Sequence, residues 1–273
     1  MRADAATAFA AARTLLVDAQ QARAFPAAVI EVGGRDGVIW TDAIGALTYD
    51  AGAPPTSLET IFDLASLTKV IATTSLAMRF VLDGVLDLDR RVSELSPAWR
   101  GSDRDAVVVR QLLDHSSGLP AHARLFESLS GRDAFEAAIG AMPLDRAPGS
   151  SSVYSDPGFI LVGLMLERVG RAPLNALLDR VGVVTTAPLL FHPPETLRSR
   201  IAPTEIDPWR GRLIVGEVHD ENAAALGGVA GHAGLFGTAA AVGAFARLVL
   251  ETFDRPTALG TPDLMRRFAT KTG

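Results

Sequence analysis

The sequence predicts an α+β fold: an antiparallel sheet flanked by helices, with a helical region supplied by the middle of the chain. Three observations predict it. Two short apolar stretches near the N-terminus are joined by a Gly-Gly-Arg-Asp turn, the signature of a β-hairpin. Two segments, 64–82 and 156–169, are apolar on nearly every side, which marks buried helices. A glycine-rich run at 227–237 leads into a further helical stretch. A single domain of 273 residues can accommodate these elements around a substantial core. Residues 1–60 and 225–273 are assigned to its sheet side, and 61–224 to its helices and loops.

Residues 1–25 are alanine-rich but interrupted by Arg2, Asp4, Arg13, Asp18 and Arg23. That is the pattern of an amphipathic surface helix rather than of a secretory leader. Residues 26–32 (PAAVIEV) and 37–47 (GVIWTDAIGAL) read as strands about the turn at 33–36. The segment 64–82 (LASLTKVIATTSLAMRFVL) has only Lys69 and Arg79 as charges, so its helix is buried on most sides, and Gly84 ends it. Residues 84–92 form an extended connector, 107–120 a short helical element running into a loop, and 133–142 another helix. Asp156 before Pro157 reads as a side-chain cap followed by proline in the first turn, opening a helix that stops before Gly170. Residues 183–225 hold several prolines and little periodicity and are expected to be long loops; a helix over 239–250 follows the glycine-rich run.

Composition narrows the function. A net charge of −5 leaves no electrostatic footprint for nucleic acid and no polybasic patch for a membrane. No stretch is long and apolar enough to span a bilayer, so the expectation is a cytoplasmic protein whose partner is a small molecule. The absence of cysteine excludes disulfides, thiolate zinc sites and a thiol nucleophile. His115, His122, His192, His219 and His232 do not share metal-ligand spacing, and no metal or organic cofactor is implied. His219 with Asp220 and Glu221 could hold a cation, but a solvated loop is the simpler reading. There is no G-x-S-x-G elbow, and the glycine-rich run fits a close-packed pocket wall better than a phosphate cradle.

Among 26 basic residues only Lys69 and Lys271 are lysines. A chain that meets its need for positive charge with arginine, which keeps its proton, makes a buried lysine a candidate for proton chemistry. Ser66 lies three residues before Lys69, on the same helix face. It sits in the first turn, where free backbone N–H groups favour negative charge. Burial and the positive helix end both disfavour the ammonium form of Lys69, and a neutral amine beside a hydroxyl can accept its proton. The plain alternative makes Ser66 a helix cap and Lys69 a snorkelling surface residue. Tyr154, one of two tyrosines, lies in a Gly/Ser loop just before a helix, a place suited to aiming a phenol into a cleft or to a half-buried structural ring.

Residues 62–72 (FDLASLTKVIA), 111–120 (QLLDHSSGLP), 154–156 (YSD) and 231–239 (GHAGLFGTA) together resemble successive blocks of the serine β-lactamase-related family. This family comprises class C β-lactamases, penicillin-binding D-alanyl-D-alanine peptidases and carboxylesterases of the same fold. Its first motif is Ser-x-x-Lys and its second Tyr-x-Asn; here Tyr154 follows Ser66 by 88 residues. The resemblance covers residues 26–250. It implies a pocket between a helical region and a sheet, with Ser66 as nucleophile and Lys69 and Tyr154 sharing acid and base duties. It also implies that the Ser66 N–H supplies half of an oxyanion hole. The reaction it implies is acyl transfer from an ester, a D-amino-acid peptide or a β-lactam, with esters the first choice.

Three departures from the family pattern matter. Asp156 stands where the family has asparagine, either as a helix cap or as a carboxylate facing Lys69 or the substrate. The third motif, Lys-Thr-Gly or His-x-Gly on a strand, has two candidates: His232-Ala233-Gly234, which makes His232 and Gly234 candidate substrate-binding residues, and Lys271-Thr272-Gly273. The reading preferred over both is a chain lacking the last strands of the sheet. The absence of a visible leader favours an intracellular esterase or peptidase over a cell-wall enzyme. The rival from another class is a non-catalytic binding or scaffold relative that keeps the pocket without the third motif.

Overall fold

The computed structural model describes residues 7–182 and 188–270. Helix α1 (Ala10–Gln21) buries none of its residues, as a surface helix should. Phe9 just before it stacks on Trp40, and Arg13 pairs with Asp42, so it lies along the hairpin. Strands β1 (Ala27–Gly34) and β2 (Gly37–Gly45) are antiparallel, with Ala27 opposite Gly45 and Gly34 opposite Gly37. A register shift between Val32 and Gly33 carries β1 past its expected end and leaves only Arg35 and Asp36 in the turn. Among the described residues no third strand joins this pair. A lone hairpin is marginal in water; this one is braced on its other side by the helix Ala239–Thr252.

A short strand β3 (Phe62–Asp63) leads to Ser66. The expected single helix over 64–82 is instead a turn, a π-helical stretch (Lys69–Thr74) and helix α2 (Ser75–Leu82). Hydroxyls bond back five residues across the join, Thr74 to the Lys69 carbonyl and Ser75 to the Val70 carbonyl, which accommodates the wider ring. Helices α3 (Val92–Leu95), α4 (Val109–Leu113) and α5 (Arg132–Ala141) surround α6 (Asp156–Gly170), whose Leu161 and Met165 share the core with Leu112 of α4 and Phe135 of α5. Helix α7 (Leu174–Val181) closes that face.

The described part of 183–225, expected as loops, contains strands β4 (Leu189–Phe191), β5 (Ile206–Asp207) and β6 (Arg212–Leu213) and helix α8 (Glu221–Ala225). These elements are two to five residues long, too short to leave a periodicity. Strand β7 (Leu235–Gly237) emerges from the glycine-rich run and pairs antiparallel with both β3 and β4. Helices α9 (Ala239–Thr252) and α10 (Pro262–Ala269) follow. Arg247 of α9 reaches Glu31 of β1 at 2.6 Å, tying the C-terminal helices to the N-terminal hairpin. Lys271, Thr272 and Gly273 lie outside the described residues.

Candidate active site

The pairing of β3 with β7 sets the site. It brings the turn before the π-helix against the glycine-rich run, where the Leu64 amide donates to the Leu235 carbonyl and the Leu235 amide to Thr68 Oγ1. Thr73 Oγ1 donates to the Gly231 carbonyl at 2.6 Å. On the opposite side the same run meets α6: a Cβ on Gly231 would stand 2.1 Å from the Phe159 carbonyl oxygen, and one on Gly163 would stand 2.8 Å from Gly231. Gly231 and Gly163 are therefore the contact point between two backbones.

Ser66 is exposed at the start of the helical segment. The residue before it, Ala65, has φ +44°, a conformation that costs an L-residue about 1 kcal/mol and turns the chain sharply out of β3. Asp63 stabilises the turn by accepting from the Ala65 amide through Oδ1 and from the His219 amide through Oδ2. Burial pushes the Asp63 carboxyl above its ordinary value, against those two amides. The Ser66 amide makes no hydrogen bond among the described residues and is free to meet a ligand oxygen.

Lys69 is 3% exposed, so the surface-lysine reading does not hold. Its Nζ has three acceptors: Ser66 Oγ at 3.0 Å, Asp156 Oδ1 at 2.7 Å and the His232 carbonyl at 3.2 Å. The shortest of these contacts makes Lys69 and Asp156 an ion pair. This is the second of the two roles the sequence offered for Asp156, a carboxylate facing Lys69. The helix cap also differs from expectation. Ser155, not Asp156, caps α6 by accepting from the Gly158 amide, which releases the Asp156 carboxylate to face Lys69. The other Asp156 oxygen meets His122 Nδ1 at 2.7 Å.

Tyr154 is exposed, and its ring centroid lies 4.7 Å from Lys69 Nζ. Ser66, Lys69 and Tyr154 line one cavity of about 660 Å³ with His115, Phe159 and Arg267. Asp156, His232 and Gly234, expected to touch substrate, are not among the residues lining this cavity. The His232 ring is 1% exposed and its Nε2 meets Asp220 Oδ1 at 2.7 Å, while its carbonyl holds Lys69. Burial works to raise the Asp220 carboxyl, but the His232 hydrogen bond and charge, the Ala223 amide and the Lys69 charge hold it at about 2. Asp220 thus serves His232, and His219 bonds Glu205; no metal-binding cluster occurs among the described residues. No described helix is long and apolar enough to cross a membrane.

Sequence reasoning missed His115 as a pocket residue. It follows α4 with φ +62°, at the position where helices commonly end in glycine, and the Ser116 amide closes the turn on the Gln111 carbonyl. Histidine in place of glycine after an apolar helix was the available signal. Its ring packs on Tyr154 and Phe159 at 4.8 and 5.0 Å between centroids.

The Beta-lactamase family model matches residues 12–272. An Escherichia coli relative bearing the name "Putative D-alanyl-D-alanine carboxypeptidase" is 32% identical over 211 residues, covering 65% of this chain and 48% of its own. A Bacillus subtilis relative named N-acetylmuramyl-L-alanine amidase is 29% identical, covering 82% of this chain and 59% of its own. The chain thus spans about half the length of the curated relatives it matches. The octameric penicillin-binding protein homologue from Pyrococcus abyssi superposes with a TM-score of 0.74 at 20% identity, covering 94% of this chain and 59% of that one. A hydrolase with promiscuous acyltransferase activity gives 0.71 at 21%, covering 91% and 73%. Both share the fold.

Proposed function

This chain belongs to the beta-lactamase family, and from that premise we propose that it is a serine hydrolase working through an acyl-enzyme on Ser66. The observation that carries the proposal is the buried Lys69 amine 3.0 Å from an exposed Ser66 hydroxyl, at the mouth of a cavity. One proton of Lys69 passes to the Asp156 carboxylate 2.7 Å away, and the amine then takes the proton of Ser66 as the oxygen bonds to the acyl carbon. That proton then goes to the departing alcohol or amine as its bond breaks, with the Tyr154 phenol on the cavity wall as the relay. Water attacks the ester so formed, releases the acid and restores Ser66. The free Ser66 amide supplies one donor to the oxyanion.

Esters are the first substrate class, then D-amino-acid peptides, then β-lactams. The names of the two curated relatives, a carboxypeptidase and an amidase, support chemistry at an acyl bond. Among the described residues a cation beside the nucleophile is already matched by Asp156, which favours neutral acyl donors over carboxylates such as penicillins. The test is incubation with a fluorophosphonate, read by intact mass and peptide mapping. One adduct on Ser66, absent from Ser66→Ala, is expected. A folded protein that takes up no label supports the non-catalytic binding relative instead.

A further inference from the structure

We propose that His115 is a substrate-binding residue: it presents a fixed Nε2–H donor to the cavity and selects ligands that set an acceptor oxygen, a carbonyl or ether, against it. The tautomer follows from one contact. The Ser155 backbone amide lies 3.0 Å from His115 Nδ1. An amide N–H can only donate, so Nδ1 must accept, and the proton of a neutral imidazole is then on Nε2. Nε2 has no partner among the described residues and is not among the buried orphan atoms, while the ring lines the cavity that holds Ser66 and Lys69. A polar N–H is thus left without a partner among the described residues, on a ring that lines the cavity.

Three further features hold it there. The left-handed backbone at His115 and the bond from the Val153 amide to its carbonyl fix the main chain. Tyr154 and Phe159 fix the plane of the ring. Burial, and then the charge of Lys69, push the imidazole below its ordinary value, against smaller opposing effects of Asp114 and Asp156, so the ring stays neutral at pH 7. A neutral imidazole donor favours an uncharged oxygen, where a charged one would favour a carboxylate. The pairing costs a ligand lacking the oxygen more than it gains a ligand bearing it, because an unmet donor inside a cavity is the expensive case.

This assignment rests on the acyl-transfer reading for the identity of the ligand, but the tautomer is independent of it. Two measurements separate them. Nitrogen-15 NMR of the histidine rings at pH 7 is expected to show His115 with a bare Nδ1 and a protonated Nε2, assigned by loss of the signals in His115→Asn. The opposite tautomer, or an imidazolium, overturns the proposal whether or not the protein is an enzyme. Hydrolysis of p-nitrophenyl methoxyacetate and p-nitrophenyl butanoate then compares an ether oxygen with a methylene of similar size. The ratio of kcat/KM values is expected to fall about tenfold in His115→Asn, the size of one lost hydrogen bond. Asparagine keeps an acceptor for Ser155 and tolerates the backbone. An unchanged ratio refutes the role of His115 and leaves the serine mechanism standing, whereas inactivity of the wild-type protein on both esters counts against the serine mechanism.

Discussion

At Lys69 the relevant quantity is a balance of charge. A lysine buried to 3% exposure carries a desolvation penalty that only a partner can offset. Asp156 is that partner, and the penalty explains why the Ser155 cap matters: a carboxylate used to cap its own helix could not also turn to the amine. His115 shows the opposite solution, a histidine kept neutral by burial and by the Lys69 charge. Its folded value is depressed below the ordinary 6.5, so between the two the unfolded chain binds the extra proton. Stability from this residue is therefore complete above pH 6.5 and drains away as the pH falls toward the folded value. Urea unfolding of the wild-type protein between pH 7 and 5 should weaken more steeply than that of His115→Asn, which keeps the acceptor and does not titrate. Parallel slopes would show that His115 does not carry this linkage.

Among the elements, the decisive contact is between α6 and the glycine-rich run. Because a Cβ on Gly231 would meet the Phe159 carbonyl at 2.1 Å, Gly231→Ala must separate the two backbones. The expected cost is about 1–3 kcal/mol of stability. Labelling of Ser66 should also slow, since the neighbouring His232 carbonyl would leave Lys69. Full stability in a denaturant titration would contradict this reading. The long buried helix opening at Asp156 was legible because its apolar run has no polar face, and the hairpin because a short turn separates two β-prone stretches. The π-helical stretch was not legible: a hydroxyl bonding five residues back alters the helix without altering its hydrophobic pattern. The cap of α6 was misplaced by one residue because Ser155 and Asp156 are both good caps, and only the position of Lys69 decides between them.

Across the whole molecule, the first strands are held by the last helices. Arg247 of α9 meets Glu31, whose side chain is 6% exposed, and Gly243 makes room for that carboxylate. Arg247→Ala would leave the Glu31 charge buried and alone, at a cost of about 3 kcal/mol. Hydrogen exchange should accelerate first in β1 and β2, and uniform acceleration through the core would argue against this division. At this scale the Ser66–Lys69 pair was legible because only three residues separate its members and lysine is rare, whereas Tyr154, 88 residues further on, was joined to them by the family resemblance. His115, Asp220 and His122 remained hidden because their roles depend on chain crossings between segments far apart. All of these assignments converge on proton transfer from Ser66 to Lys69. The direct test is the acylation rate of Lys69→Arg, which keeps the positive charge but cannot give it up. The fluorophosphonate reaction at Ser66 should slow by at least ~100-fold, with stability within ~2 kcal/mol of wild type. Acylation at the wild-type rate would mean that another group takes the proton.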